Sequence, residues 1–195
     1  IIIAGCGKVG RALAEQLSKE KHDITVIDLK PESIQLVTNA ADVRGVVGNG
    51  ASYDIQMDAG VDKADLMIAV TNADEVNLLC CLIAKKAGGC QTIARVRNPV
   101  YHHEIHHIKD ELGLSMVINP EWAAAMEMAR LLRFPSAIDI DTFANGRIEL
   151  LRFQLDDKNP LCGHKIRDLD TLSKCEVLVC IVEHSGPYLV RVKLL

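Results

Sequence analysis

Residues 1–10 read IIIAGCGKVG, an apolar run that leads directly into glycines spaced as GxGxxG, at Gly5, Gly7 and Gly10. Between a strand and a helix, the first glycine permits the tight turn, the second lets the backbone approach a pyrophosphate, and the third lets the helix pack close to the strand. The amides that begin the helix would then face phosphates with the positive end of the helix dipole. The pattern therefore predicts a phosphate-binding loop formed by Gly5, Cys6, Gly7, Lys8, Val9 and Gly10.

A second apolar run, residues 24–27, ends on Asp28 and is followed by Leu29 and Lys30. An acid at the carboxyl end of the second strand is placed to accept hydrogen bonds from an adenosine ribose, and it would repel a 2′-phosphate. We therefore assign Asp28, Leu29 and Lys30 to the same site. Because Asp28 suits any free ribose, the sequence does not rank NAD, NADH, ATP and ADP.

The composition predicts a soluble globular protein. The chain has 195 residues, 49% hydrophobic and 25% charged, and a net charge of −4, which fits one domain of ordinary size with a small appendage. Its basic residues are not interleaved with aromatic residues, so nucleic acid is not an expected partner. Apolar runs such as residues 66–70 fall far short of the roughly 20 residues that span a bilayer, so any role at a membrane is expected from the aqueous side. No signal peptide is visible, and the absence of an initiator Met suggests a trimmed chain.

Seven cysteines, an odd number without a CxxC pair, lie mostly in apolar stretches. This usage predicts reduced core residues of a cytosolic protein. Cys6 differs because it neighbours a helix N-terminus, which would favour the thiolate. Two alternatives remain for it: a redox role, or a small residue that packs in the phosphate turn.

Strand-like runs alternate with helical patterns over the first two thirds of the chain. Candidate strands are residues 1–4, 24–27, 43–47, 66–70, 93–96 and 116–118. Helical spacing begins near Val9 and at Pro31, and it covers residues 74–87, where Gly88 and Gly89 end the helix. The alternation predicts an α/β fold, a doubly wound Rossmann-like parallel sheet of six strands. Its ligand crevice would lie at the carboxyl ends of the strands, near the switch point.

The pattern changes after a last predicted helix at residues 121–132. Phe134-Pro135 interrupts it, so we predict a nucleotide-binding domain at 1–134 and a second unit at 135–195. In the second unit, residues 148–155 and 176–183 resemble strands, and residues 163–172 a short helical stretch. Such a small α+β subdomain buries little core alone, so it is expected to dock on something or to pair with its own copy.

Polar residues follow the third and fourth predicted strands. Asn49 and Gly50 form a turn that is either a plain turn or one whose amide binds an adenine edge. Thr71 and Asn72 come where a phosphate or the nicotinamide ribose would lie. Asp74 is predicted to cap the next helix instead of contacting the ligand.

The fifth predicted strand ends on two cations, Arg95 and Arg97. A guanidinium within a parallel-sheet pattern needs an anionic partner, and a bound phosphate would supply one. We assign Arg95 to the ligand site, with an intramolecular carboxylate as the alternative partner.

Residues 103–107 read HEIHH and formally match the zinc-protease pattern HExxH. The apolar stripe of that helix would consist of Tyr101, Ile105, Ile108 and Leu112. His103 and His107 would then point away from the core, and no third ligand is evident downstream. We therefore predict a solvated histidine face and not a catalytic zinc site. Neither a Ser-His-Asp set nor a GxSxG elbow is present.

Six motifs follow one another along the chain: GCGKVG, VIDLKPE, VGNGAS, AVTNADEVN, IARVRNPVYHHEI and INPE. Their order and spacing resemble those of the regulatory subunits of Trk and Ktr potassium uptake systems, the RCK or KTN domain family. The resemblance runs from Ile1 to about Phe134. Residues from about 137 onward resemble the start of the companion C-terminal RCK subdomain.

The resemblance implies a non-enzymatic gating subunit that binds NAD(H) or ATP/ADP. It also implies homodimers that assemble into a larger ring on the cytoplasmic face of the membrane, beneath an integral-membrane potassium transporter of the TrkH or KtrB kind. By this resemblance the glycine loop holds phosphates, Asp28 holds ribose, and Thr71, Asn72 and Arg95 complete the site. Glu121 of the NPE motif would join a divalent cation site at the dimer crevice. Many relatives have Asp where this chain has Asn49, which weakens an inference about adenine.

Two other classes remain open. An NAD-dependent dehydrogenase with a reduced substrate domain needs a proton-transfer residue, for which the second unit offers only His164 and His184. A nucleotide-binding interaction module without a membrane partner is the other.

Overall fold

The computed structural model describes residues 1–135, 137–144, 147–155, 159, 164–168, 178–184 and 190–194. The chain divides into two compact units, Ile1–Ala123 and Ala124–Leu195. This division falls within the helix that spans Pro120–Arg133. The domain boundary that the sequence predicts near Pro135 stays a prediction.

The first unit is built on a six-stranded parallel sheet. Its strands are β1 (Ile2–Ala4), β2 (Thr25–Asp28), β3 (Arg44–Val47), β4 (Leu66–Ala69), β5 (Gln91–Arg95) and β6 (Met116–Ile118). They are ordered β3-β2-β1-β4-β5-β6, and every neighbouring pair is parallel. This is the order of a doubly wound fold, so the predicted fold class is confirmed. The switch point lies between β1 and β4.

Six helices connect or follow these strands. They are α1 (Lys8–Lys19), α2 (Pro31–Ala40), α3 (Tyr53–Asp58), α4 (Asp74–Gly88), α5 (Pro99–Ile108) and α6 (Pro120–Arg133). Pro31 occupies the first turn of α2, where its missing N–H costs nothing. At the end of α4, Gly89 adopts a left-handed φ of 67°, and its amide donates to the Lys85 carbonyl. The short helix α3 is absent from the sequence-based prediction.

Both faces of the central sheet are covered. Consecutive residues of β1 point to opposite sides: Ile2 packs in one apolar cluster with Met67, and Ile3 in a second cluster with Ile68. All four side chains are buried. This burial explains why the strands are continuous apolar runs without alternation. Among the described residues, no helix combines the length and the apolar character needed to cross a bilayer.

The second unit contains an antiparallel sheet. Its strands are β7 (Ala137–Phe143), β8 (Ile148–Leu155), β9 (Val179–His184) and β10 (Val190–Leu194), in the order β7-β8-β10-β9. The predicted strand at 148–155 coincides with β8, and the one at 176–183 overlaps β9, with 176 and 177 outside the described residues. A 3-10 turn at Ile166–Asp168 lies within the predicted helical stretch 163–172, whose other residues are described only at 164 and 165.

Candidate nucleotide site

A cavity of about 650 Å³ opens at the carboxyl ends of the central strands of the first unit. The structure brings most of the predicted cofactor-binding residues together there. Those that line the cavity are Gly5, Gly7, Lys8, Val9, Asp28, Leu29, Lys30, Asn49, Gly50, Thr71, Asn72 and Arg95. Arg97 also lines it. Four cations and one carboxylate therefore line the same cavity, a charge balance that suits an anionic ligand.

The three glycines of the loop meet three different steric demands. Gly5 has a φ of +101°, and a Cβ there would lie 2.8 Å from the Thr71 amide nitrogen. At Gly10 a Cβ would lie 1.8 Å from the carbonyl oxygen of Gly5, so only glycine allows α1 to start so close to the strand. A Cβ at Gly7 would meet nothing within 4 Å. Gly7 therefore leaves the approach to the first amides of α1 open, which is what a phosphate requires.

Asp28 links the second strand to the glycine loop. One carboxylate oxygen accepts a hydrogen bond from the Cys6 amide at 2.7 Å, and the other accepts one from the Lys30 amide at 2.9 Å. Each oxygen keeps a second lone pair for a ligand hydroxyl. The Lys30 bond is local, two residues along the chain, whereas the Cys6 bond joins residues 22 positions apart, which the sequence pattern does not show.

Cys6 and Gly10 are the two loop residues that do not line the cavity. The Cys6 side chain is buried, with 7% of the residue exposed. Burial, the larger cause, and the charge of Asp28 raise the pKa of the Cys6 thiol to about 12. The thiol therefore stays protonated at neutral pH, and the expectation that the helix N-terminus favours a thiolate is wrong. Of the two alternatives for Cys6, packing is the one that this environment supports.

The turn after β3 is held by a buried side chain that the sequence analysis missed. Asn49 Oδ1 accepts from the Ala51 amide at 3.0 Å, which closes a local turn. Gln56 of α3 is fully buried, and its Nε2 donates to the carbonyl oxygens of Gly50 at 2.7 Å and Cys80 at 2.9 Å. Gln56 Oε1 has no hydrogen-bond partner among the described residues. No periodicity marks Gln56, since α3 is a single short helix.

Asp74 does not cap α4, so that prediction is wrong. The helix begins at Asp74, and the capping position belongs to Ala73, which makes no side-chain cap bond. The buried Asp74 carboxylate instead accepts from the amides of Arg97 and Asn98, each at 2.8 Å, and from Arg97 Nε at 3.5 Å. Asp74 thus fixes the turn that follows β5. In that turn Arg97, which lines the cavity, also donates to the carbonyl of Asn72.

Arg95 has the intramolecular carboxylate partner that the sequence analysis left open. Its guanidinium forms an ion pair with Glu121 of α6, and its side chain is 14% exposed. Its Nε is buried and has no hydrogen-bond partner among the described residues. Arg95 also lines the cavity, so Glu121 and a ligand anion are both within reach of the same cation.

The structure provides no ligand set for a metal ion in the described part of the chain. No group of three or more His, Cys, Asp or Glu side chains is arranged to hold one there. Glu121 contacts Arg95, and the divalent cation at this residue stays a prediction. In the HExxH segment, Ile105 is buried and His107 is exposed, as expected, while the side chain of His103 lies outside the described residues. Ile108, predicted to be part of the apolar stripe, is 43% exposed.

Comparison with known protein families gives a match over most of the first unit. The family model described as the TrkA-N domain matches residues 1–120. The chain is 39% identical over 169 residues to the Trk system potassium uptake protein TrkA homolog of Archaeoglobus fulgidus. The aligned region covers 87% of this chain and 38% of that protein. It is 34% identical over 175 residues to the TrkA protein of Azorhizobium caulinodans, and this region covers 88% of this chain and 37% of that protein. The chain thus spans less than two fifths of the length of these relatives.

Solved structures share the fold. The TrkA-N domain of the inner membrane protein ybaL from Escherichia coli superposes with a TM-score of 0.59 at 26% identity, covering 67% of this chain and 94% of that one. The GsuK channel bound to NAD superposes with a TM-score of 0.56 at 16% identity, covering 99% of this chain and 36% of that one. GsuK bound to ADP superposes with a TM-score of 0.51 at 19% identity, covering 60% of this chain and 30% of that one. The two GsuK comparisons carry information on fold alone.

Proposed function

The chain belongs to the TrkA-N domain family, and on that premise we propose that it is the nucleotide-binding part of a regulatory subunit of a potassium uptake system. Its ligand is NAD(H) or ATP/ADP, bound in the cavity at the carboxyl ends of β1, β2 and β4. The phosphates lie over the first amides of α1, and the adenosine ribose contacts Asp28. Thr71, Asn72 and Arg95 complete the site.

The observation that carries this proposal is the position of Asp28. Its carboxylate lines the cavity and is bonded to amides on both sides, at Cys6 in the glycine loop and at Lys30. A carboxylate held in this way next to a phosphate-binding helix N-terminus has the arrangement that a nucleoside phosphate requires. GsuK, which has the same fold, has been solved with NAD and with ADP bound, and this supports the same ligand class for the chain.

The action on transport is conformational linkage. A nucleotide that binds one arrangement of a homodimer, or of a ring of dimers, more tightly than another shifts the equilibrium of the attached transporter. A differential affinity of about 1.4 kcal/mol changes that equilibrium tenfold. The partner is an integral-membrane potassium transporter of the TrkH or KtrB kind, and the subunit lies on the cytoplasmic face of the membrane.

The subunit is not an enzyme. Among the described residues, no histidine or glutamate lines the cavity, and its titratable side chains are Asp28 and the cations Lys8, Lys30, Arg95 and Arg97. The Asp28 carboxylate is bonded to the Cys6 and Lys30 amides, and the four cations suit the binding of phosphates. The two relatives are named as potassium uptake proteins. In an absorbance assay with candidate substrates we expect NADH to remain unconsumed, and turnover would replace this proposal with the dehydrogenase alternative.

Calorimetric titration of the chain with ADP, ATP, NAD and NADH tests the binding step. We expect saturable binding of at least one of these nucleotides. In Asp28→Ala, adenosine-containing ligands bind at least about tenfold more weakly, because a charge-assisted hydrogen bond to the ribose is lost. The matched control is Asp42→Ala, which removes an exposed aspartate outside the cavity lining. Equal affinity in wild type and Asp28→Ala would exclude Asp28 from the site.

The partner is tested with the full-length protein. Co-purification with a potassium transporter, and a nucleotide-dependent change in potassium flux through that transporter, are the expected results. Nucleotide binding without either result would favour an interaction module that has no membrane partner.

A further inference from the structure

We propose that Asn77 is a positioning residue that sets the β4–β5 half of the site and thereby determines how well the site binds dinucleotides as opposed to mononucleotides. The inference rests on the proposed function, since it concerns the same cavity. Asn77 lies one turn into α4 and is not among the residues that line the cavity. It therefore acts through residues that do.

The Asn77 carboxamide uses all of its hydrogen-bonding capacity. Its Oδ1 accepts from the amide and the hydroxyl of Thr71, each at 2.7 Å. Its Nδ2 donates to the carbonyl oxygen of Arg95 at 2.9 Å and to that of Thr71 at 3.4 Å. The side chain is fully buried. Two acceptor and two donor positions are all that a carboxamide has, so no other side chain of this size reproduces the set.

These bonds begin where the sheet ladder ends. The last paired residues of β4 and β5 are Ala69 and Ala94. Thr71 and Arg95 come just after this pair, and both line the cavity. Asn77 therefore replaces the missing ladder bonds at the point where the two chain segments enter the site. Without it, the partly buried N–H of Thr71 and the partly buried C=O of Arg95 would lose their partners, and the two segments would be free to separate.

The two halves of the site depend on different residues. The glycine loop and Asp28 belong to β1, α1 and β2, and they are tied to each other by the Asp28–Cys6 bond. Thr71 and Arg95 belong to β4 and β5. In a doubly wound fold each half accommodates one mononucleotide unit, on either side of the switch point. AMP is therefore expected to use the first half, and NAD to use both.

Calorimetric titration of Asn77→Ala with NAD and with AMP tests this division. We expect the affinity for NAD to fall at least about tenfold, because the positions of Thr71 and Arg95 are no longer fixed. The affinity for AMP is expected to stay within about twofold of wild type, a change too small to count as a lost hydrogen bond. The ratio of the two affinities is the decisive quantity, since a general loss of stability would lower both.

Thr92→Ala is the matched control. Thr92 is another fully buried polar residue on β5, and its hydroxyl donates to the Gly113 carbonyl at 3.0 Å and accepts from the Ser115 amide at 3.3 Å. These contacts lie outside the cavity lining. The variant should lose stability while the ratio of NAD to AMP affinity stays unchanged. If Asn77→Ala does not fold, Asn77→Asp replaces it. That variant keeps the acceptor for Thr71 and loses both donors, and we expect the same change in the ratio of NAD to AMP affinity.

Four results would overturn the inference. NAD and AMP affinities that fall in parallel would make Asn77 a residue of general stability. The same change of ratio in Thr92→Ala would do so as well. Wild type that binds neither ligand would refute the proposed function and this inference with it, whereas wild-type binding of both with an unchanged ratio in the Asn77 variants would refute this inference alone.

Discussion

Gly7→Ala separates ligand binding from folding at the glycine loop. Gly7 has a φ of −69° and a ψ of −168°, which alanine adopts without strain, and the added Cβ would meet nothing within 4 Å. Gly7 is the N-cap of α1, where alanine is less favourable than glycine by roughly 0.5–1 kcal/mol. The smaller conformational entropy of the unfolded chain with alanine offsets this by about 0.4–1 kcal/mol. The free energy of unfolding should therefore change by less than about 0.5 kcal/mol.

The effect on the ligand is larger. A phosphate over the first amides of α1 must approach the backbone at Gly7, and a methyl group there keeps it at a distance. Each hydrogen bond to a charged group contributes about 1.5–3 kcal/mol, so the loss of one weakens binding about tenfold to a hundredfold. We expect the dissociation constants of ADP and NAD to rise at least about tenfold, while adenosine, which has no phosphate, changes by less than about threefold.

Calorimetry with ADP and adenosine, together with urea unfolding, measures the two effects. Gly10→Ala is the contrasting variant, because its Cβ would lie 1.8 Å from a backbone oxygen that no rotamer change moves away. It should lose about 1–3 kcal/mol of stability or more, as overpacked sites do. If Gly7→Ala binds ADP as tightly as wild type, or loses adenosine affinity in the same proportion as ADP affinity, then no phosphate lies over this turn.

Three further predictions concern neighbouring side chains. The pKa of the Cys6 thiol is raised to about 12, so as the pH rises above about 9 the unfolded chain loses its thiol proton first, and the free energy of unfolding falls between pH 9 and 12. In urea titrations Cys6→Ala should reduce this fall. An equal fall in the variant would show that Cys6 ionises normally. Glu121→Gln frees Arg95 for a ligand anion, so calorimetry should give NAD an affinity about twofold to tenfold higher and adenosine an unchanged one. Weaker NAD binding would mean that Glu121 supports the ligand. Gln56→Leu leaves the buried Gly50 carbonyl without its donor and should cost about 1–3 kcal/mol in urea unfolding, whereas a more stable variant would mean that the unpartnered Gln56 Oε1 dominates.

The sheet of the first unit was predictable because its strands are covered on both faces. Residues 66–70 are a continuous apolar run, and β4 lies within it at Leu66–Ala69. The short helix α3 has no such signal, since a single turn or two shows no clear period. In the second unit, β7 reads AIDIDTF, an alternation in which Ile140 is buried while Asp139 forms an ion pair with Arg152. This period of two is visible in the sequence, and the prediction overlooked it.

The cavity was predictable from topology, and its supporting residues were not. Parallel strands end at one edge of the sheet, so residues that follow β1 to β5 had to meet there. Gln56, Asp74 and Asn77 support that edge by bonding to backbone atoms 6 to 24 positions away in the chain. A sequence identifies side chains, but it does not show which carbonyl or amide a buried side chain reaches. This is why Asp74 was assigned to the helix that it begins and not to the turn that it holds.

Arg95 has the carboxylate partner that one of its two alternatives predicted, and its contact with a ligand phosphate stays a prediction. A guanidinium carries five N–H donors in a rigid plane, and a single carboxylate does not accept from all of them. Glu121 takes part of this capacity and offsets the charge, while Nε stays buried without a partner among the described residues. A ligand phosphate that reaches Arg95 would therefore share the cation with Glu121 or displace it. Because Glu121 belongs to α6, the same competition would transmit the presence of the anion from the cavity to that helix.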